Sequence, residues 1–192
     1  MKLVKLFSIA LLSVSLSGCA GLFIAGAATT ANLVTDTRST QAIWNDNNIE
    51  FEVAALGNKP PYRGNVRITA SSYKGTVVLM GQATTDQDRR SFESKAREVA
   101  GVTEIHNQIR VQPPLSVSEI SKDSWITTKV KSALLTKSEL NGIKVKVITE
   151  NSEVFLLGLV TQEQAEIATD VARNISGVKQ VIRAFQYGSP EA

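Results

Sequence analysis

The stretch NVRITASSYKGTVVLMG, residues 65–81, has a counterpart later in the chain, and this repetition decides the fold. Residues 142–158, GIKVKVITENSEVFLLG, align with it without gaps, 77 positions further on. The same offset places Asp46 on Asp123 in the segments that precede the two stretches. Self-similarity at a fixed period indicates repeated structural units. The chain therefore contains two copies of one domain.

Each copy is predicted to fold as helix, strand, strand, helix, strand. Val66 and Ile68 alternate with Arg67 and Thr69, which is the period of a half-buried strand. Turns are indicated by Lys74-Gly75 and Asn151-Ser152. The second helices are expected to start at Thr84 or Thr85 and at Thr161, and to end at Gly101 and Gly177. A three-stranded sheet with two helices on one face buries the apolar side of every element. The predicted class is therefore α+β.

This element order, with glycine at the end of the second strand and Gly-Val between the last helix and the last strand, resembles the BON domain. The segments NSEVFLLG (151–158) and ISGVK (175–179) carry the resemblance most closely. It covers residues 39–112 and 119–188, which a linker over 113–118 connects. The resemblance implies two tandem BON domains, each αββαβ with a three-stranded mixed sheet packed on two helices.

The N-terminus is predicted to be a lipoprotein signal peptide spanning residues 1–18. Two lysines precede an apolar run and small residues, the layout of a secretory signal. Leu16-Ser17-Gly18-Cys19 resembles the bacterial lipobox, which implies that Cys19 carries acyl chains such as palmitate and that residues 19–38 form a tether. A chance cysteine beside an ordinary cleavage site is the alternative. Because Ala20 rather than Asp follows the cysteine, we expect an outer-membrane anchor that faces the periplasm.

The charge balance argues against a nucleic-acid partner. The sequence has 21 basic and 18 acidic residues, and removal of residues 1–18 takes away Lys2 and Lys5, which leaves 19 basic residues and a net charge of +1. Domains that bind DNA or RNA carry a clear basic excess. A periplasmic location points the same way.

The stretch DSWITTKVKSALL, residues 123–135, is predicted to be a helix with two apolar sides. One side, with Ile126 and Val130, would face the sheet. The other side carries a second stripe, flanked by lysines, and consists of Trp125, Thr128, Ser132 and Leu135 with Lys129 and Lys131. We predict that these six residues bind anionic phospholipid, because Trp prefers headgroup depth and each nearby lysine contributes about 1 kcal/mol.

The equivalent helix of the first copy has the opposite sign of charge. It has Phe51 on its outer side, but Asp46, Glu50 and Glu52 give it −3 over residues 39–57, against +3 over 121–137. An anionic bilayer would repel acidic flanks, so the second domain alone is expected to bind lipid. The resemblance to two-BON lipoproteins implies that this helix of the second domain binds anionic phospholipid. It also implies a role in outer-membrane integrity and enrichment at the division site.

Two other interpretations of the stripe stay open. Trp125 could pack on the neighbouring domain or beneath the linker, with the lysines serving solubility. It could also be a hot spot for protein binding. The chain would then be an envelope adaptor or chaperone-like protein that binds an outer-membrane assembly factor.

No enzyme activity, cofactor, metal or small-molecule substrate is predicted. His106 is the single histidine and is expected on the solvent side of a strand, while the one thiol, Cys19, is consumed by lipid. The loop around Tyr62 and Arg63 is expected to be rigid, with a partner contact as the alternative.

Overall fold

A computed structural model describes residues 39–140 and 145–188, and the elements follow the predicted order twice. The first domain consists of α1 (Thr40–Leu56), β1 (Val66–Tyr73), β2 (Thr76–Ala83), α2 (Asp86–Arg97) and β3 (Glu104–Val111). The second consists of α3 (Val117–Leu135), a 3-10 turn (Ser138–Leu140), β4 (Lys146–Glu150), β5 (Glu153–Val160), α4 (Gln162–Arg173) and β6 (Gln180–Tyr187). The predicted signal peptide, Cys19 and the tether lie outside the described residues. Among the described helices, none combines the length and apolar character that crossing a bilayer needs.

Each domain contains one three-stranded mixed sheet. β2 lies in the middle of the first sheet, antiparallel to β1 and parallel to β3. β5 lies in the middle of the second sheet, antiparallel to β4 and parallel to β6. A parallel pair needs a crossover between its strands, and α2 and α4 supply it. The predicted α+β class and the mixed sheets are confirmed.

The two helices of each domain cover one face of its sheet. In domain 1, Ile49 and Val53 of α1 and Phe92 of α2 pack over Val77 and Leu79 of β2. The core of domain 2 is built from the corresponding elements and includes Ile126, Val130, Val154, Leu156, Ala168 and Ala172. Full burial of a Val, Leu, Ile or Phe side chain contributes about 1.5–3 kcal/mol. The side of α3 that was predicted to face the sheet, and the corresponding side of α1, therefore anchor the two helices.

The other faces of the two sheets pack on each other. Val78 and Met80 of β2 form a separate apolar cluster with Phe155 and Leu157 of β5. Side chains alternate between the two faces along a strand, so each central strand supplies its own helical core with one set and the interface with the other. Consequently, α1 and α3 lie on opposite outer sides of a double sheet.

A buried carboxylate joins the domains beside this apolar cluster. Glu150, at the end of β4, is 5% exposed. It forms an ion pair with the guanidinium of Arg67. Its carboxylate also accepts hydrogen bonds from the Thr69 hydroxyl (2.8 Å) and the Gln82 amide (3.2 Å). All three donors belong to domain 1, so the polar side of β1 faces the second domain rather than solvent.

Two further ion pairs cross the same interface nearer solvent. The Lys146 ammonium lies 2.8 Å from Glu50 of α1. The Arg110 guanidinium lies 3.0 Å from Glu153. The mutual orientation of the domains, which the sequence left open, is thus held by apolar packing with charged pairs around it.

Polar side chains cap the helices largely as expected. Thr85 and Thr161 are the N-caps of α2 and α4. α3 starts earlier than the predicted boundary at residue 119, because Ser116 and Glu119 form a capping box. That sequence pattern, Ser-x-x-Glu, is a known start signal. Val117 and Ser118, which were placed in the linker, are therefore helical.

The sequence predicted that Gly101 and Gly177 cap the ends of their helices, and this prediction is wrong. α2 ends at a cap formed by Glu98, and α4 ends at Asn174. The glycines lie in the next turn with positive φ. A Cβ on Gly101 would lie 3.1 Å from Ile49 of α1. Glycine is favoured at residue 101 mainly because its φ is +89°, a conformation that residues with a Cβ rarely adopt, and the close approach of Ile49 adds to this preference.

The loop before β1 is rigid because its tyrosine is buried. Tyr62 is 6% exposed, and its ring lies edge-on to Phe92 with centroids 5.1 Å apart. Its hydroxyl shares a hydrogen bond of 2.9 Å with Ser91. The alternative that Tyr62 is an exposed partner contact is wrong.

Candidate functional site

The outer side of α3 is an uncovered stripe. Trp125 is 63% exposed and Leu135 is 83% exposed. Thr128 and Ser132 lie between them and are exposed as well. One interpretation of the sequence was that Trp125 packs on domain 1 or beneath the linker. Its exposure shows that it does neither. The four predicted stripe residues share one accessible side of the helix.

Val117 extends the stripe and was missed because it had been placed in the linker. It is 81% exposed and precedes Leu135 by five full turns of 3.6 residues, so both lie on one line along α3. At 1.5 Å per residue the line is about 27 Å long. The capping box was the sequence signal that could have revealed it. We call Val117, Trp125, Thr128, Ser132 and Leu135 the α3 stripe.

The two predicted flanking lysines differ in their surroundings. Lys131 is exposed on one flank. Lys129 is half-buried on the other, and its ammonium donates a hydrogen bond to the carbonyl oxygen of Ser176, in the loop after α4. Lys179 follows in the same loop and donates to the Asn151 side chain at 3.3 Å. The structure thus holds Lys129 at the edge of the α3 stripe, with Lys131 free to reach outward.

Buried hydrogen bonds fix the rotation of α3 about its axis. Asp123 is 4% exposed and accepts from the backbone N–H groups of Asn151 (2.7 Å) and Ser152 (2.8 Å). The Thr127 hydroxyl donates to Thr149 at 2.7 Å. These contacts hold the inner side of α3 on the β4–β5 hairpin. The α3 stripe must therefore face away from the sheet.

The start of α3 carries a stabilised negative charge. Hydrogen bonds from the Ser116 hydroxyl and backbone N–H lower the pKa of Glu119 below its usual value. A carboxylate in the first turn favours the helix because it meets the positive end of the helix dipole. The capping box thus keeps the first turn, and Val117 within it, helical at neutral pH.

The expected charge contrast between the first helices is smaller than the sequence indicated. Asp46 is 3% exposed and accepts from the backbone N–H of Gly75, the counterpart of the Asp123 contact. Glu50 is half-buried against Lys146. Glu52 is the one acid of α1 that is exposed. The outer side of α1 is therefore weakly rather than strongly acidic, and the contrast with α3 rests mainly on the exposed lysines of α3.

α1 also exposes an aromatic residue that the sequence reasoning overlooked. Trp44 is 64% exposed and Phe51 is 75% exposed. They are seven residues apart, which places them on the same side of a helix after nearly two turns. That spacing was the signal that could have identified Trp44. Both first helices thus present apolar side chains, but only α3 has lysines beside them.

A cavity near the end of α3 has the wrong charge for a phosphate group. It measures about 360 Å³ and opens between the end of α3 and α4. Its lining consists of Lys137, Glu139, Glu166, Ile167, Asp170 and Val171. Three carboxylates against one ammonium disfavour an anionic headgroup there. Over residues 39–140 and 145–188, no three His, Cys, Asp or Glu side chains converge as metal ligands would.

His106 lies on the solvent side of β3, as expected. Its side chain is 53% exposed and lies 3.6 Å from Glu104. Neither residue borders the α3 stripe in sequence or on the sheet, since β3 belongs to domain 1. The pair therefore plays no part in the candidate site.

Comparisons with known proteins agree with the repeated architecture. The family model for the BON domain matches residues 45–113 and 122–189. The chain is 42% identical over 176 residues to the outer membrane lipoprotein DolP of Haemophilus influenzae, which covers 91% of each chain. It is 44% identical over 153 residues to the 21 kDa hemolysin of Actinobacillus pleuropneumoniae, which covers 79% of each.

One solved structure with weaker similarity is CdsD, a structural protein of the type III secretion system of Chlamydia trachomatis. The sequences are 17% identical, the TM-score is 0.29, and the match covers 74% of this chain and 63% of that one. A score this low supports no argument about the arrangement of the domains.

Proposed function

Because this chain belongs to the BON-domain family and is an outer-membrane lipoprotein with two such domains, we propose that it binds anionic phospholipid through the α3 stripe. The exposure of Trp125 at 63%, on a helix that the other domain leaves uncovered and that also exposes Lys131, carries this proposal. The site is a surface and not a pocket.

The chemistry of the stripe suits the headgroup region of a bilayer. Trp positions its ring at headgroup depth, and Leu135 at the far end can enter the boundary of the acyl region. Lysines near the surface attract anionic lipid by about 1 kcal/mol each. Ser132 presents a hydroxyl group between these two apolar side chains, and a hydroxyl can donate to a phosphate oxygen. The Thr128 hydroxyl donates to the carbonyl oxygen of Ser124 at 3.0 Å, so Thr128 contributes contact area on the same side of the helix. Lys129 contributes charge from the edge.

An acyl anchor would make this weak surface effective. Lipidation at Cys19 keeps the domain close to one leaflet, so headgroup contacts occur at a high effective concentration. The protein would then reside where anionic lipids gather. Such a location would account for enrichment at the division site and for a role in outer-membrane integrity. The function is one of binding, without catalysis, small-molecule substrate or nucleic acid.

Single-tryptophan variants test the proposal directly. The Trp44→Phe variant reports on Trp125, and the Trp125→Phe variant reports on Trp44, which has nearly equal exposure. With the chain from residue 20 onward and vesicles containing phosphatidylglycerol, we expect a blue shift of Trp125 emission that weakens in high salt. Trp44 is expected to show no shift, and vesicles of phosphatidylcholine alone should shift neither.

Charge substitutions complete the test. Trp125→Glu should abolish binding to phosphatidylglycerol vesicles, and Lys131→Glu should weaken it several-fold, while Lys59→Glu in domain 1 should have little effect. Absence of a Trp125 shift on both kinds of vesicle would reject lipid binding. The same exposed stripe would then favour the adaptor function, with saturable binding to a purified outer-membrane assembly protein as its test.

A further inference from the structure

We propose that the outer side of α1 is a self-association surface that joins two copies of this chain. The surface, called here the α1 face, consists of Trp44, Asn47, Asn48 and Phe51. Single exposed apolar residues are ordinary in soluble proteins. Here, however, two aromatic rings lie on the same side of one helix and are 64% and 75% exposed, so most of their apolar area is in contact with water.

The packing of the domains leaves the α1 face uncovered. α1 places Ile49 and Val53 on its own sheet, and the other face of that sheet packs on domain 2. The α1 face therefore points outward on the side of the double sheet opposite α3. If the α3 stripe lies on a bilayer, which rests on the proposed function, the α1 face points away from that bilayer. Lipid of that bilayer is then excluded as its occupant.

The α1 face is complementary to a copy of itself. The midpoint between Trp44 and Phe51 falls between Asn47 and Asn48. In an antiparallel pair with two-fold symmetry, Trp44 of each copy meets Phe51 of the other, and the asparagines meet at the axis. An amide both donates and accepts hydrogen bonds, so it can pair with its own copy. A two-fold contact requires this kind of self-complementarity.

Charge favours a second copy on α1 and opposes one on α3. Asp46 and Glu50 are engaged within the chain, which leaves Glu52 as the exposed acid of α1. In the antiparallel pair, the two Glu52 positions lie roughly 13 Å apart along the helices, beyond the Debye length of about 8 Å at physiological salt. The α3 stripe has lysines at its flanks and would repel its own copy.

The contact is of the size of a weak dimer. A Trp or Phe side chain buries about 150–250 Å² when fully covered, so covering the exposed parts of four rings removes roughly 400–700 Å². Stable interfaces bury about 1,200–2,000 Å² in total. The surrounding polar residues add to the area, but association should still depend on concentration. The pair would present its two α3 stripes in opposite directions.

Sedimentation equilibrium of the chain from residue 20 onward, without lipid, tests this inference. We expect the average mass to rise toward the dimer as the concentration approaches on the order of 500 µM. Trp44→Glu and Phe51→Glu should each keep the protein monomeric, and Trp125→Glu should leave the association unchanged. All three side chains are exposed, so an unchanged urea midpoint confirms that each variant is folded.

Disulfide trapping gives a second measurement. The chain from residue 20 contains no native cysteine. Asn48→Cys, close to the expected axis, should form an intermolecular disulfide under mild oxidation, because bridged Cα atoms must approach within about 7 Å. The matched variant Thr128→Cys on α3 should not. A monomer at every concentration, or a dimer that survives both charge substitutions on α1, would overturn the inference. Neither measurement needs lipid, so failure of lipid binding would leave both intact.

Discussion

The buried carboxylate of Asp123 accepts a hydrogen bond of 2.8 Å from the backbone N–H of Ser152, and this contact ties the lipid-binding candidate helix to its sheet. The first domain repeats it, since Asp46 accepts from the N–H of Gly75 at 3.0 Å. In both domains the first helix thus holds the turn between the first two strands. The equivalence of the two aspartates in the sequence repeat has this structural cause.

Removing this charge should weaken the second domain. Asp123→Asn keeps one acceptor oxygen and replaces the other with an NH2 group, which cannot accept from a backbone N–H. A hydrogen bond to a charged group contributes about 1.5–3 kcal/mol. We expect the free energy of unfolding in urea to fall by that amount. Asp46→Asn is the matched variant in domain 1, and an unchanged midpoint in both would contradict the role of the clamp.

Glu150 should be essential to the union of the domains. Glu150→Ala would leave the Arg67 guanidinium without its ion-pair partner at the interface, where the Arg67 side chain is 32% exposed. Breaking a buried pair costs about 3–5 kcal/mol, and the partial exposure of Arg67 reduces our expectation to about 2–3 kcal/mol. A double-mutant cycle with Arg67→Ala should show a coupling above about 1 kcal/mol. Additive effects would argue against the pairing.

The apolar interface between the sheets should make the two domains unfold together. Phe155 is 1% exposed within the interdomain cluster, so Phe155→Ala should cost about 3–5 kcal/mol. We also expect thermal unfolding to separate into two transitions by calorimetry. Lys146→Ala removes a surface pair with Glu50 and should cost less than about 1 kcal/mol. A single transition in Phe155→Ala would mean that the domains are coupled by other contacts.

Gly81 should tolerate no side chain. It has φ +127°, and a Cβ there would lie 2.1 Å from the carbonyl oxygen of Arg67 on β1. Gly81→Ala must therefore push the strands apart, and we expect a loss of about 3 kcal/mol or more in denaturant unfolding. Gly64→Ala is the matched control. It also has positive φ, but nothing lies within 4 Å of its Cβ position, so about 1–2 kcal/mol of backbone strain is expected.

Glu93 should make stability depend on pH in the acid range. A hydrogen bond from the Asn107 side chain, followed by the interaction with Arg97, lowers the pKa of this carboxyl in the folded state. Its contribution is therefore present above the unfolded-state pKa near 4.5 and is lost as the pH falls through the lower folded-state value. Unfolding in urea between neutral and strongly acid pH should show a smaller loss for Glu93→Gln than for the wild type. Parallel pH profiles would contradict this origin.

Much of each domain could be predicted because the relevant patterns are local. The alternation in β1, the cap at Thr161 and the outward position of Trp125 follow from periods of two or 3.6 residues within single segments. The capping box at Ser116 was equally local and was overlooked. The exposed position of Trp44 was also overlooked, although its spacing from Phe51 is visible in the sequence.

The sequence by itself determined the repeat, the αββαβ order of each copy and the side of α3 that faces outward. The tertiary structure alone decided that the two sheets pack on each other, that Glu150 is buried against Arg67, and that Asp46 and Glu50 are withdrawn from the surface of α1. A polar residue on the outer face of a strand has the same local pattern whether water or a second domain covers it. Only the placement of segments that are distant in the sequence distinguishes a residue covered by water from one covered by a second domain. The same placement pairs Glu50 with Lys146 and so makes the outer side of α1 less acidic than its sequence indicates.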